Sequence, residues 1–304
     1  MMNKIDSELL SLISDYHKNQ SDAYNIRKDG ESIDRHSSAK IIISPKTNKN
    51  GIDVRIKRGT KGQVHIPVIL TKSGVEECVY NDFFIEAGAD VVIVAGCGIH
   101  NDGQETSRHD GIHTFYVSKG AKVKYIEKHL GRGVGGGKVL NPVTRVFLRE
   151  GASMEMETTQ LGGVTYSKRK TSAKLDKGAC LVVKEKILTE DTQVAKTYFD
   201  VTLRGEGASV EVVSRSVAKD DSYQAFDSVV VGDSECFGHV ECDAILIGNA
   251  VVDSSPRIKA RNVDATLVHE AAIGKIAGEQ LTKLMTLGLS ESEAEDLIIK
   301  GFLS

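Results

Sequence analysis

Residues 146–158, VFLREGASMEMET, contain the pattern that decides the fold of this chain. On both sides of Gly151 and Ala152, apolar and polar residues alternate with a period of two. That alternation is typical of β-strands with one buried face, and the glycine between the two runs predicts a tight corner. The stretch therefore predicts a strand, a corner and a second strand.

The same pattern of strand, Gly-Ala corner and strand occurs five times along the chain. The other four copies are FFIEAGADVVIV (83–94), FYVSKGAKVKYIE (115–127), AKLDKGACLVVKE (173–185) and VTLRGEGASVEVV (201–213). The glycines are Gly88, Gly120, Gly151, Gly178 and Gly207, at steps of 32, 31, 27 and 29 residues. A repeat of about 30 residues predicts stacked coils, each burying its apolar face against its neighbours. We therefore predict a mainly β protein, a β-solenoid.

The composition agrees with such a fold and excludes some functions. The chain has 304 residues, of which 29 are glycine, 4 are proline and none is tryptophan, as expected for many short strands with tight corners. The net charge of −3 gives no nucleic-acid or membrane-surface signature. No run of 18 apolar residues predicts a membrane span, and the first residues do not resemble a secretion signal.

The cysteines favour a reducing, cytoplasmic location. There are five, an odd number, and no two of them form a CxxC pair. This argues against a disulfide framework and against a preassembled zinc site. We assign packing roles to Cys78, Cys180 and Cys236.

Helices are predicted at both ends of the chain. In residues 5–16 the apolar side chains fall on one helical face, and the members of that face are Ile5, Leu9, Leu12, Ile13 and Tyr16. Residues 278–287 predict a short helix that ends at Gly288, and residues 290–293 form a capping box that begins a second helix. We divide the chain into 1–50 (N-terminal helix and polar lead-in), 51–272 (β-helix core) and 273–304 (C-terminal helical segment).

Residues 241–271 gather three metal-ligand types in one short segment. Cys242 heads an apolar strand, and His269 and Glu270 end the next one. A thiolate, an imidazole and a carboxylate are ligands that iron and iron–sulfur centres use. The alternative is a buried structural cysteine and a His-Glu pair that ends the sheet core.

A second cysteine and a neighbouring histidine cluster also have two interpretations each. Cys97 lies between Gly96 and Gly98, so its thiol can occupy a narrow place and accept a transferred sulfur, or it is a plain buried cysteine. After it comes a polar cluster that is either a metal site or simply a polar loop. Its members are His100, Asp102, His109, Asp110 and His113.

The glycine-rich run 131–136 matches the GxGxxG spacing of dinucleotide-binding loops. It is followed by a predicted strand, so no helix N-terminus is available for a pyrophosphate. We predict a mobile surface loop here and no ATP hydrolysis by this chain.

Beyond these single motifs, the chain resembles the SufB/SufD family of iron–sulfur cluster assembly proteins. The resemblance is carried by CDAILIG (242–248), PRIKARNVDATLVHEA (256–271), IEAGADVVIVAGCG (85–98) and GGKVLNPVTR (136–145), and it covers roughly residues 60–304. It implies a right-handed parallel β-helix with helical ends. It also implies that two such subunits meet through their β-helices and that each docks on a SufC-type ABC ATPase.

The resemblance further implies roles for single residues. Cys242 matches the cysteine that binds the nascent cluster, His269 a partner ligand across the interface, and Glu270 the carboxylate of the SufB form. Cys97 matches the cysteine that takes incoming sulfur, although Gly98 and the two residues after it depart from the usual SufB pattern. In the C-terminal segment, the apolar residues expected to contact the ATPase are Leu281, Leu284, Met285, Leu297, Ile298 and Phe302.

The expected function is a non-catalytic scaffold, a short SufB-like form, that assembles a labile, transient iron–sulfur cluster. Sulfur would come from a cysteine desulfurase system, and the working pair would be a homodimer or a heterodimer with a second family member. The alternatives are a SufD-like adaptor that binds the ATPase without ligating a cluster and, from the enzyme class, a polysaccharide lyase or acyltransferase built around Asp102 or Asp110.

Overall fold

The computed structural model describes residues 2–14 and 23–304. Most of them lie in strands, which form a β-solenoid of about 8 turns with a helix at the N-terminal end and helices at the C-terminal end. In chain order the elements are α1 (Lys4–Ser14), β1 (Ala23–Lys28), β2 (Glu31–His36), β3 (Ile41–Pro45), β4 (Gly51–Ile56), β5 (Lys61–Leu70), β6 (Glu76–Ile85), β7 (Asp90–His100), β8 (Ser107–Val117), β9 (Lys122–Arg132), β10 (Lys138–Leu140), β11 (Val143–Leu148), β12 (Ser153–Leu161), β13 (Tyr166–Leu175), β14 (Cys180–Thr189), β15 (Val194–Leu203), β16 (Ala208–Ala218), β17 (Tyr223–Gly232), β18 (Cys236–Leu246), β19 (Val251–Ala260), β20 (Ala265–Gly274), α2 (Gly278–Met285) and α3 (Glu291–Phe302).

Each coil contributes one strand to each of two long sheets. Sheet 1 has the order β2-β1-β5-β7-β9-β12-β14-β16-β18-β20, and sheet 2 has the order β19-β17-β15-β13-β10-β8-β6-β4-β3, with β11 pairing with β8 and β13. Successive coils pair in parallel and in register: Tyr166 lies opposite Val194 and Leu175 opposite Leu203. Because side chains alternate between the two faces of a strand, each apolar residue stacks on its equivalent in the next coil. The predicted parallel β-helix is confirmed.

The Gly-Ala phrases form corners between the two sheets. All five glycines have φ between +61° and +70°, a left-handed conformation that costs an alanine about 1–2 kcal/mol. The alanine after each glycine is fully buried at the start of the next strand. Each phrase thus encodes a backbone reversal and a small inward side chain, which explains why the pair recurs once per coil.

The solenoid begins before residue 51. β1 pairs in parallel with β5, so it belongs to sheet 1, and it also forms an antiparallel pair with β2. β3 pairs antiparallel with β4 in sheet 2. The predicted lead-in segment 1–50 therefore contains three strands as well as the helix, and these strands of five or six residues are too short to show the long alternation of the later coils.

Helix α1 lies on the outer face of sheet 1. Leu9 and Ile13 of the predicted apolar face are buried there, while Ile5 is 40% exposed, and Tyr16 lies outside the described residues. Gly96 allows this packing, because a Cβ at that position would lie 2.7 Å from the Ile13 carbonyl oxygen. Asp6 anchors the helix through Lys28 Nζ at 2.6 Å.

The two C-terminal helices follow the last coil as the sequence indicates. Ser290 caps α3, with its side chain accepting from the Glu293 backbone N–H and the Glu293 side chain accepting from the Ser290 backbone, a complete capping box. Gly288 has φ of +96° between the helices. None of the described helices is long and apolar enough to cross a membrane.

Candidate functional site at the open end of the solenoid

Cys242 and His269 share the inner face of the last two strands of sheet 1, β18 and β20. Cys242 lies on β18 opposite Ala271 of β20, and His269 lies two residues before Ala271 on the same strand. Residues two apart on a strand point to the same face, so both side chains face inward. With strands about 4.8 Å apart and residues about 3.3 Å apart along a strand, their Cα atoms lie about 8 Å from each other.

The Cys242 thiol is held in its protonated form. Its residue is 2% exposed, and burial raises the pKa of the thiol to about 11. The nearby Ser254 hydroxyl opposes this shift, and the charges of Glu185 and Asp243 add to it. Since the thiolate is the metal ligand, binding a metal ion at Cys242 must displace a proton.

His269 has a nitrogen without a partner. Its Nε2 atom is buried and makes no hydrogen bond with any described residue. Burial lowers the pKa of the imidazole, the His239 charge adds to that shift and Glu270 opposes it. A neutral imidazole with an open nitrogen on a partly exposed face is the form in which histidine binds metals.

Glu270 lies on the opposite face of the sheet. It is in register with Glu241 of β18, and its Oε2 atom is 3.6 Å from His239 Nε2. Neighbouring residues on a strand point to opposite sides, so the structure brings Cys242 and His269 together but does not bring Glu270 to them. Within residues 2–14 and 23–304, no group of three or more His, Cys, Asp or Glu side chains is arranged to hold a metal ion.

The last coil is open on its outer side. Among the described residues, β20 pairs only with β18 and β19 only with β17. Val251 and Ile258 on β19 and Ile273 on β20 are 40–49% exposed. Two adjacent strand edges with apolar side chains are a surface suited to pairing with another sheet.

Cys97 lies inside the other half of sheet 1. It is 1% exposed and faces a cavity of about 10 Å³, the size of one water molecule. Burial raises the pKa of its thiol well above the usual value, and the charges of Glu77 and Glu127 add to this. The flanking glycines, Gly96 and Gly98, face α1 on the outer side, so they make room for the helix rather than for the thiol.

A row of buried polar residues joins the two cysteine regions along the inner face of sheet 1. Cys97 on β7 is in register with His129 on β9, and His129 lies two residues after Glu127, where the row begins. The row crosses β9, β12, β14, β16 and β18, and it consists of Glu127, Thr158, Glu185, Ser214 and Cys242, each in register with the next. All five are at most 3% exposed. Five strand spacings separate β7 from β18, about 25 Å.

Arg169 of sheet 2 neutralises the charges in this row. Its Nη1 donates to Glu127 Oε2, its Nε lies 3.5 Å from Glu185 Oε1, and its Nη2 donates to His129 Nδ1 at 3.3 Å. Burial opposes ionisation of Glu127, but Arg169 and His129 hold the pKa of that carboxyl well below its usual range. For Glu185 burial dominates and raises the pKa, although Arg169 and the hydroxyls of Ser214 and Thr197 oppose it.

The structure divides the predicted histidine cluster in two. His100 and Asp102 form an exposed pair, with Nε2 and Oδ2 2.8 Å apart. Asp110 lies on the outer face, where Arg108 donates to it. His109 and His113 instead point inward to the cavity that Cys97 lines.

The glycine-rich run packs closely against the preceding loop. Gly135 donates to the Asn101 carbonyl at 2.9 Å and Gly136 to the Gly103 carbonyl at 2.6 Å. A Cβ at Gly135 would lie 2.1 Å from the Gly103 oxygen. The predicted mobile loop is thus held by backbone contacts, and close backbone approach, not a phosphate, accounts for its glycines.

The predicted partner-binding residues are all accessible. Met285 and Leu297 are 44% and 50% exposed, and no residue of α2 is buried. The remaining four, Leu281, Leu284, Ile298 and Phe302, are half-buried. Contacts with the solenoid include the pair of Lys219 and Glu295, at 3.7 Å.

Comparison with known proteins matches the chain to a family model described as the SufBD core domain of SUF system FeS cluster assembly, over residues 71–302. The chain belongs to the SufBD family of iron–sulfur cluster assembly proteins. It is similar to a SufBD family protein of Archaeoglobus fulgidus, with 28% identity over 91% of this chain and 73% of the relative. It is also similar to one of Methanocaldococcus jannaschii, with 28% identity over 91% of this chain and 89% of the relative.

Sequence reasoning missed the buried charges of this SufBD family chain. Arg169 and Glu185 were not singled out, because each occurs in a strand that also carries outward-facing charges. The signal was their position: both fall at inward places of the alternation, where an apolar residue is expected. A charged residue at such a place requires a buried partner.

Proposed function

We propose that this chain is a scaffold subunit of the SUF machinery that assembles a labile iron–sulfur cluster where two subunits meet. The observation that carries the proposal is the placement, on one face of the last two strands of sheet 1, of Cys242 and an imidazole whose Nε2 has no hydrogen-bond partner among the described residues. A cluster is the cargo in this scheme, bound during assembly and then released.

Incomplete ligation by each chain supports an interfacial site. One chain offers a thiol and an imidazole on this face, and a cluster needs about four ligands. The open edges of β19 and β20 offer the surface through which a second SufBD family chain would supply the others. Mixed ligation by sulfur and nitrogen would hold a cluster less firmly than four thiolates, as transfer to a client requires.

In this proposal Cys97 receives sulfur, and the polar row from Glu127 to Ser214 lies between it and Cys242. The exposed apolar residues of α2 and α3, among them Met285 and Leu297, would contact a SufC-type ABC ATPase. ATP turnover there would move the two subunits as rigid bodies and open the interface. The chain itself would be non-catalytic, would work in the cytoplasm, and would take its sulfur from a cysteine desulfurase system.

Anaerobic reconstitution with iron and sulfide tests the proposal, with the cluster absorbance as the readout. Cys242→Ala should abolish the absorbance. Cys236→Ala is the matched control, because Cys236 is also buried on the inner face of β18 with a thiol pKa raised by burial. Equal cluster formation on both variants would remove Cys242 from the mechanism.

A SufD-like adaptor is the second candidate. It is favoured by one observation, the burial of Cys242, which is 2% exposed. Burial raises the pKa of the thiol, and a protonated thiol is a poor metal ligand. A complex with the ATPase that stays colourless after iron and sulfide are added would support the adaptor and reject the scaffold.

A further inference from the structure

We propose that His109 is the proton acceptor for the Cys97 thiol and that Glu77 holds His109 in the orientation this requires. The inference rests on the proposed function for the identity of the reaction, transfer of sulfur to Cys97. The arrangement itself rests on the geometry of one cavity.

The two side chains face the same small space from opposite sheets. Cys97 reaches it from β7 of sheet 1 and His109 from β8 of sheet 2. An ideal Cβ at Gly111 would lie 3.2 Å from His109 Nε2, so the missing side chain leaves that nitrogen room at the cavity. The volume of about 10 Å³ fits one water molecule, and a proton can pass between a thiol and a base directly or through one water.

Hydrogen bonds fix which nitrogen of His109 is available. Its Nδ1 atom lies 2.9 Å from Glu77 Oε1 and donates to that carboxylate. Arg27 Nη2 donates to the other oxygen of Glu77 at 2.9 Å, which keeps the carboxylate ionised and in place. With Nδ1 carrying the hydrogen, Nε2 is the basic nitrogen, and it is the nitrogen that lies beside Gly111 at the cavity. A nucleophile, an imidazole and a carboxylate in these roles form the arrangement that activates nucleophiles in hydrolases.

The other histidines of the cavity do not have a free basic nitrogen. His113 donates from Nδ1 to Tyr125 Oη at 2.7 Å, and its Nε2 accepts from Asn81 Nδ2 at 3.3 Å. His129 accepts from Arg169 at Nδ1, and its Nε2 lies 3.5 Å from Glu127.

The charged and titratable groups around Cys97 favour this assignment. They are Glu77 (β6), His109 and His113 (β8), Tyr125, Glu127 and His129 (β9), with Arg27 (β1) and Arg169 (β13) behind the carboxylates. The two carboxylates nearest the thiol disfavour its ionisation unless its proton moves to a base within the same cavity. Burial lowers the pKa of His113 to about 4, so that residue stays neutral and leaves the task to His109.

The reaction balances with a persulfide as the sulfur donor. The proton leaves the Cys97 sulfur for His109 Nε2, and the electron pair stays on the sulfur. The thiolate then attacks the outer sulfur of the persulfide, so a new S–S bond forms at Cys97 and the S–S bond of the donor breaks. The donor leaves as a thiolate and takes the proton back from the imidazolium.

The test measures how fast each cysteine of the full chain reacts with methyl methanethiosulfonate, a small reagent that thiolates attack at sulfur. Mass spectrometry of peptides reports Cys97 separately, and Cys236 serves as an internal reference for a buried thiol. In the wild-type protein the rate at Cys97 should rise with pH and reach its plateau before pH about 8.5, the ordinary pKa of a free thiol. The rate at Cys236 should still be rising at that pH.

His109→Gln keeps a donor for Glu77 but has no basic nitrogen. It should slow the Cys97 reaction at pH 7 about 100-fold and make its rate rise with pH as for Cys236. His113→Gln, in the same cavity and on the same strand, should leave the pH profile in its wild-type form. Thermal melts check that both variants fold.

Either of two results would overturn the proposal. One is a wild-type Cys97 profile that follows Cys236, a comparison that needs no variant. The other is an equal loss of rate in His109→Gln and His113→Gln. Neither depends on cluster assembly at Cys242, so failure here and failure of the scaffold proposal are distinguishable.

Discussion

Cys97 and Cys242 lie on the inner face of the same sheet, but their surroundings differ. Cys97 is enclosed by stacked coils, covered outside by α1 and accompanied by histidines and carboxylates. Cys242 is buried on β18, next to the last strand, β20, whose outer edge is unpaired and which carries an imidazole whose Nε2 has no hydrogen-bond partner among the described residues. Burial raises the pKa of both thiols, yet only the first has an imidazole–carboxylate pair directed at its cavity. The enclosed cavity at Cys97 is therefore suited to proton and sulfur transfer. The end of the sheet at Cys242 is suited to a metal site that a second chain completes.

The largest effect should come from the charges that connect the two regions. Arg169→Met would leave Glu127 and Glu185 buried without their cation, so the free energy of unfolding should fall by about 3–5 kcal/mol. Urea denaturation measures this loss. Arg149→Ala, which removes an exposed ion pair with Asp176, is the matched control and should change stability little. Equal losses in the free energy of unfolding for the two substitutions would mean that Arg169 is no more important to stability than an exposed ion pair.

The second effect is a pH dependence located in the closed region. The folded-state pKa of His113 is about 4, below the unfolded value of about 6.5, so between those pH values the unfolded chain binds a proton that the folded chain does not. Stability should therefore fall as pH drops from about 6.5 to 4, by about 3 kcal/mol from this residue.

Variants on each side separate the regions. His113→Gln should remove that part of the acid destabilisation, while His269→Gln at the partly exposed open end should retain it. Urea titrations at several pH values measure the slopes. The slope is the change in the free energy of unfolding with pH between about 4 and 6.5. If His269→Gln made it as shallow as His113→Gln does, the assignment of the acid destabilisation to His113 would be contradicted.

The third effect compares one glycine from each region. A Cβ at Gly96 would lie 2.7 Å from the Ile13 oxygen and 2.9 Å from the Lys128 oxygen, so Gly96→Ala should cost about 1–3 kcal/mol by displacing α1. A Cβ at Gly274 on β20 would meet nothing within 4 Å, so Gly274→Ala should change stability by less than about 0.5 kcal/mol. Thermal unfolding of both variants gives the comparison. A similar cost at both positions would mean that the closed region is not more tightly packed than the open one.

The fold was predictable because its signals are local and repeated. Each of the five repeats carries its own apolar–polar alternation and its own Gly-Ala corner. Gly151, for example, adopts the positive φ of the corner without help from residues far away in the sequence. The early strands β1 and β2 were not predicted, because they are short and form an antiparallel pair that a repeat of 30 residues does not describe.

The site was predictable only in part, for a different reason. The sequence placed Cys242 at the head of one strand and His269 at the end of the next, whereas the structure puts each within its strand, with β19 between β18 and β20 in the chain. Because β18 and β20 are neighbours in sheet 1, Cys242 and His269 still share one face, and strand alternation puts Glu270 on the other. Cys97 and His109 lie on different sheets and face each other only because both line the same cavity. No pattern within one strand reports such a contact, and the hydrogen bond from His109 to Glu77 spans 32 residues.

Mixing wild-type and Cys242→Ala chains tests most directly whether ligands from two chains meet at one cluster. The Cys242→Ala chain is expected to assemble no cluster alone. When equal amounts of the two chains are unfolded together and refolded, about one quarter of the dimers contain two wild-type chains and about half contain one chain of each kind. If a cluster needs Cys242 from both chains, reconstitution should give about one quarter of the absorbance of the same amount of wild-type protein, by the symmetry of a twofold interface. About one half of that absorbance would mean that each chain ligates its own cluster, and it would contradict a cluster shared between two copies of this chain.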